Sequence, residues 1–200
     1  PFYFPVHLLE PVHGNEAAID FDLYSSASRR QTIHRALDAW KPALTPRLQL
    51  VQETEPSAFS VILMHPGIPL PNLTRPDSFS SMVIRIPDLI QRASMRGQVE
   101  KSISVYIYDI VDHVYASEQF LGGATIPANG NRDMMLKALP QADLATLRAR
   151  HSKSKAYVKE IAIDIVYDQS WLIVVKAVEG TYDMNLTFVI LAGVLLLVLC

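Results

Sequence analysis

Helical and strand-like spacings of apolar residues take turns along this chain. After the serine-rich Ser25-Ser26-Ala27-Ser28, which offers several N-cap candidates, "RRQTIHRALDAWK" places Ile33, Leu37 and Trp40 at helical spacing with Ala36 beside them. Arg29, Arg30, Gln31 and Arg35 form the expected wet face, and Pro42 and Pro46 end the helix. "RLQLVQE" then alternates and predicts a strand, while "AFSVILMH", a short apolar run followed by Pro66, predicts a buried one. "GIPLPNLTRPDS", with three prolines, predicts a loop. Residues 79–97 read as a strand to Ile86 and then a helix that Pro87 opens and Gly97 closes.

The second half is richer in strands. "SISVYIYDI" is the clearest, with Ile103, Val105, Ile107 and Ile110 interleaved with Tyr106 and Tyr108. The tyrosines here and Tyr157 fit packing on a sheet better than a stacking platform. "FLGGATIPANGNRD" predicts a strand end and a turn, and "QADLATLRARHSKSK" a short helix with a basic exit. "AYVKEIAIDIV" and "WLIVVKAV", separated by "YDQS", predict two antiparallel strands joined by a tight turn. Strands and helices are mixed with hairpins and do not alternate as βαβ units, which gives an α+β class with antiparallel sheets.

Two hundred residues suit one domain or two small packed halves. Half of them are apolar, a figure inflated by "LTFVILAGVLLLVLC" at 186–200, which holds no charge and no proline. A spanning helix takes roughly 20 apolar residues, so this run predicts the start of a C-terminal transmembrane helix. The opening "PFYFPVHLLEPV" shows no initiator Met and no signal peptide. Together the two ends predict a piece of a larger membrane protein, with residues 1–183 as its domain outside the membrane. A net charge of -2 gives no reason to expect nucleic acid. Cys200 is the sole cysteine, so no disulfide forms within the chain. Asn72 and Asn185 begin Asn-x-Thr sequons, the first in the proline-rich loop.

Candidate chemistry concentrates in "EPVHGNEAAIDFDL" at 10–23. His7 and His13 with Glu10 and Glu16 have the atoms to ligate zinc, and Asp20 and Asp22 share a face if extended. Solvated turns and helix capping explain the same residues more simply. No Gly-x-Ser-x-Gly elbow, usable cysteine, phosphate-binding glycine pattern or His-x-x-x-His pair accompanies them. No catalytic residue, metal or cofactor is therefore expected. Arg148, Arg150, Lys153, Lys155 and Lys159 form the one basic concentration, read as a solvated loop or a contact for lipid head groups.

The stretch from Glu10-Pro11 through Asn15, Phe21-Asp22-Leu23, Arg29-Arg30, Ala36 to Ala39 and Leu50-Val51-Gln52-Glu53 resembles the CHASE domain. "FSSMVIRIPDLIQ", "SVYIYD" and "YDQSWLIVV" are similar to later segments of that family. Three departures stand out. The family's Gly before Asp-Leu is Asp20, the Gly after the first helix is replaced around Trp40-Lys41, and its Pro-Val-Tyr is "MHPGIP".

The resemblance implies an extracytosolic ligand-sensing domain of a transmembrane receptor, cytokinin-receptor-like, with PAS-like tandem halves after a stalk helix. It implies a homodimer tethered at the membrane, signalling to a cytosolic histidine kinase or nucleotide cyclase, with this segment itself not an enzyme. A small-molecule ligand would lie in an apolar pocket with a few polar anchors. On this chain the candidates are Leu63, Phe79 and Val83 as walls, with Val61 and Met82, and His65, Ser81 and Thr125 as anchors. A dimerising or structural ectodomain without a ligand is the alternative. Residues 179–183 would couple the last strand to the membrane helix.

Overall fold

The computed structural model of this chain describes residues 3–50, 59–68, 76, 78–96, 102–111, 119–127, 137–152, 157–166 and 169–177. They build an α+β fold of antiparallel sheets and a few helices, divided into units Pro1–Ile84 and Arg85–Cys200.

In the first unit the expected helix spans Ala27–Ala39 (α1) and buries Thr32, Ile33 and Ala36. Its arginines are not a wet face. Arg29, Arg30 and Arg35 are half-buried. Arg30 Nη1 donates to the carbonyls of Tyr24 (3.1 Å) and Ser25 (3.2 Å), and Arg35 Nη2 donates to Leu44 O (2.7 Å). A guanidinium on a long apolar stem can lie along the protein and still reach backbone oxygens, which helical spacing alone does not reveal. α1 ends at Trp40 in the left-handed region (φ 53°, ψ 36°), with Lys41 N–H donating to Ala36 O at 3.3 Å. That is the closure glycine usually supplies. Asp20 is also left-handed, at φ 60°. Both replaced family glycines thus fall on left-handed backbone, where a side chain costs about 1–2 kcal/mol.

α1 covers a three-stranded sheet of order β1-β2-β3, made of Ala43–Leu44 (β1), Ser60–Pro66 (β2) and Phe79–Arg85 (β3). β1 pairs antiparallel with β2 through Ala43–Met64 and Leu44–Leu63, and Thr45 extends the pairing by bonding both ways with Ile62. Ile33, Ile62 and Met64 form the core here, with Phe4, Leu23, Tyr24, Leu37, Leu48 and Phe79 packed around them. The strand expected at "RLQLVQE" is reduced to one bridge, Leu48 to Ser60, over its described part; residues 51–53 lie outside the described residues.

The second unit begins with Ile86–Arg96 (α2), as expected from Pro87. Its sheet runs β6-β5-β4-β8-β7, all antiparallel: Ile103–Val111 (β4), Gln119–Ile126 (β5), Lys137–Ala138 (β6), Tyr157–Val166 (β7) and Gln169–Ala177 (β8). β5 is a full strand where the sequence suggested only a strand end: Gly123 and Gly122 pair with Tyr106 and Ile107, and the register shifts by one residue before Phe120 meets Tyr108. β8 is buried at every position but Lys176, as a central strand covered on both faces must be. On one face Leu144 and Leu147 of Leu144–Ser152 (α3) pack on Tyr108, Ile110, Phe120, Leu172 and Val174. On the other, Ile86 of α2 approaches so closely that a Cβ on Gly122 would sit 2.7 Å from its Cγ2. Gly122 is the residue that lets this helix sit down.

No helix among the described residues is long and apolar enough to cross a membrane. The apolar run at 186–200, the coupling segment 179–183, the sequon asparagines Asn72 and Asn185, and Lys153 and Lys155 lie outside the described residues.

Candidate functional site

The polar opening folds into turns. Residues Glu16–Ala18 and Leu23–Ser25 form two single 3-10 turns. Asp22 Oδ1 accepts from Tyr24 N and from Phe4 N, both at 2.9 Å, so one carboxylate caps the second turn and ties down the N-terminal segment at Phe4. Asn15 Nδ2 donates to Pro11 O at 3.0 Å. The backbone N–H groups of Glu16 and Gly14 bond to the Glu16 carboxylate and hold its pKa below the ordinary value. His13 Nδ1 lies 3.8 Å from Glu16 Oε1 with both side chains exposed. Among the described residues no group of three or more His, Cys, Asp or Glu is placed to hold a metal. Asp22 caps the turn before α1 rather than α1 itself, whose N-cap among the serine candidates is Ser26, with Ser26 Oγ 3.0 Å from Ser28 Oγ.

Five of the six candidate ligand residues lie on the three-stranded sheet. Leu63 and His65 belong to β2, Phe79, Ser81 and Val83 to β3. Alternation puts Leu63 and His65 on the face of β2 opposite Ile62 and Met64, which point into the core. Phe79 instead joins that core, its ring edge-on to Phe4 at 5.4 Å and 80°. His65 is exposed, with Nδ1 donating to Pro66 O at 2.8 Å. Ser81 is exposed, and Met82 and Val83 are each 42% exposed. Val61 is fully buried. Thr125 lies on β5 of the second unit, paired with Ser104 and Lys137. The structure therefore does not gather the six on one face of one sheet.

Sequence reasoning missed Arg29. Its guanidinium lies over the Phe21 ring at 4.8 Å, its Nε is buried without a partner, and burial lowers its pKa. An Arg-Arg pair at a helix start looks solvated in sequence; only the folded opening shows Phe21 beneath it. The basic concentration in the second unit is partly spent on an ion pair, Arg148 with both oxygens of Glu160 at 2.8 and 2.6 Å.

The family model described as the CHASE domain matches residues 1–120 of the 200. The match takes in the whole first unit together with α2 and β4. No curated protein matches this chain.

Proposed function

The chain belongs to the CHASE domain family, whose members are extracytosolic sensory domains of membrane signalling receptors, and from that footing we propose that it binds a small molecule and relays the event across the membrane. The family match carries this reading. The relay would run through the apolar run at 186–200, read as the membrane helix, to a cytosolic histidine kinase or nucleotide cyclase, in a homodimer with PAS-like halves. Residues 1–183 are the sensor in this reading. A ligand biases such a relay only by its differential affinity for two arrangements of the domain. β3, which holds Phe79, Ser81 and Val83, runs into α2 without an intervening residue, so a strand displaced by ligand has a direct covalent route onward.

A thermal-shift screen of the chain against purine-type cytokinins, amino acids and short peptides tests the reading. A specific ligand at 100 times its Kd adds about 2.7 kcal/mol of stability. Val83→Glu should remove that shift if the exposed part of β3 lines the site. The second reading is a ligand-free dimerising ectodomain, favoured by the commitment of Phe79 to packing against Phe4. No shift across the panel, with a concentration-dependent dimer, would decide for it.

A further inference from the structure

The boundary between the two units falls inside a strand. The first unit ends at Ile84 and the second begins at Arg85, yet β3 spans Phe79–Arg85 and α2 starts at Ile86. Domain boundaries ordinarily lie in exposed, flexible linkers; here no residue lies between strand and helix to absorb motion. Pro87 stiffens the junction further, because its ring holds φ at about −65° in the first turn of α2. α2 is held in turn by its apolar stripe: Ile86, Leu89, Ile90 and Ala93, at helical spacing, are all buried. The strand it packs on, β5, presents Gly122 and Ala124 on one face, opposite Ile107 and Val105 of β4. Ile86 fills the space above Gly122 that a side chain would take: a Cβ there would meet Ile86 Cγ2 at 2.7 Å and Ile86 Cβ at 3.5 Å.

We propose that the seat of Ile86 on Gly122 is the coupling point between the units, where a displacement of β3 passes to the five-stranded sheet and where that sheet in return stabilises β3. A strand continuous with a helix moves that helix, and a helix whose whole apolar stripe is buried shifts as a body. Gly122 sets how closely it seats. Next to this seat the pairing of β5 is irregular: Gly122 is opposite Ile107 but Phe120 is opposite Tyr108, which leaves Leu121 as an extra residue. The Phe120 ring meets Tyr108 at 5.7 Å in the core under α3. Within three residues, therefore, β5 touches α2 on one face of the sheet and enters the core on the other. The use of this coupling in signalling rests on the reading of β3 as a ligand-bearing strand. The coupling itself needs no ligand, because linkage acts in both directions.

Native-state hydrogen exchange on the whole chain, with no ligand added, reads the coupling. Gly122→Ala pushes Ile86 off its seat, and the amides of β2 and β3 should then exchange at least about fivefold faster, the low end of ordinary coupling. Leu147→Ala removes packing from α3 on the opposite face of the sheet; it should speed exchange in β4 and β8 and leave β2 and β3 at wild-type rates. Ile86→Ala strips the seat and should resemble Gly122→Ala. Both substitutions together leave two methyl carbons 3.5 Å apart, an ordinary contact, and should return β2 and β3 towards wild-type rates. Ile86→Ala and the double variant carry the test should Gly122→Ala not fold. Unchanged β2 and β3 rates in the single variants overturn the proposal. So do equal acceleration by Leu147→Ala, or a double variant in which the two single effects simply add. If the ligand panel gives no thermal shift while these rates change as stated, the sensing reading fails and the coupling stands. A ligand shift with β2 and β3 rates untouched by Gly122→Ala fails the coupling alone.

Discussion

The two units use polar side chains in opposite ways. In the first, the densest polar stretch of the chain lies at the surface and serves the backbone: Asp22 holds Phe4 and Tyr24, and Asn15 holds Pro11. In the second, two polar residues 60 positions apart, Asp109 and Gln169, meet inside an apolar sheet and bond to each other, while Gln169 Oε1 and the neighbouring Trp171 Nε1 stay buried without a partner. Density along the chain marks turns, which need many N–H groups satisfied locally. Burial marks expense, and an expensive polar group is the one whose partner is most costly to remove.

The contrast predicts a graded series of effects. Asp109→Ala strips the Gln169 amide of its acceptor inside the sheet and should cost about 3 kcal/mol in urea unfolding. Asp22→Ala loses two backbone bonds at a half-buried turn, where solvent replaces part of them, and should cost about 1 kcal/mol. A larger loss for Asp22 than for Asp109 would reverse the comparison. Trp40→Gly relieves the left-handed closure of α1 but surrenders some packing, for a net gain below about 1 kcal/mol by thermal melting. The smallest effect is at Tyr106, whose phenol pKa is raised by burial against a smaller downward pull from Arg150. A raised pKa means the folded state favours the neutral phenol. Its contribution is complete below about pH 10 and lost as pH climbs through the folded value. Wild type should therefore lose stability more steeply than Tyr106→Phe above about pH 10, and the two should run parallel below it.

Elements with a long, clean period were legible in the sequence. α1, α2, β4 and the β7–β8 hairpin fall where apolar spacing puts them. β1 and β6 have two residues each and no period to read; they exist because a partner strand lies beside them. The opening was legible as turns, from Asn and Asp types known to satisfy N–H groups. That Asp22 also holds Phe4, eighteen residues away, was not, since only tertiary structure brings them together. The half-buried arginines of α1 were misread for the same reason: their acceptors are the carbonyls of Tyr24, Ser25 and Leu44. The buried Asp109–Gln169 pair left one faint trace, an aspartate inside the otherwise uncharged "ISVYIYDIV".

The sharpest test compares Asp22→Ala with wild type in thermal melts, each with and without whichever compound of the small-molecule panel stabilises the wild type. If the opening is scaffold for a sensor that binds elsewhere, the variant melts lower yet keeps the full ligand-induced shift. A variant that melts like wild type but no longer responds to the compound would make Asp22 a ligand contact and contradict the account.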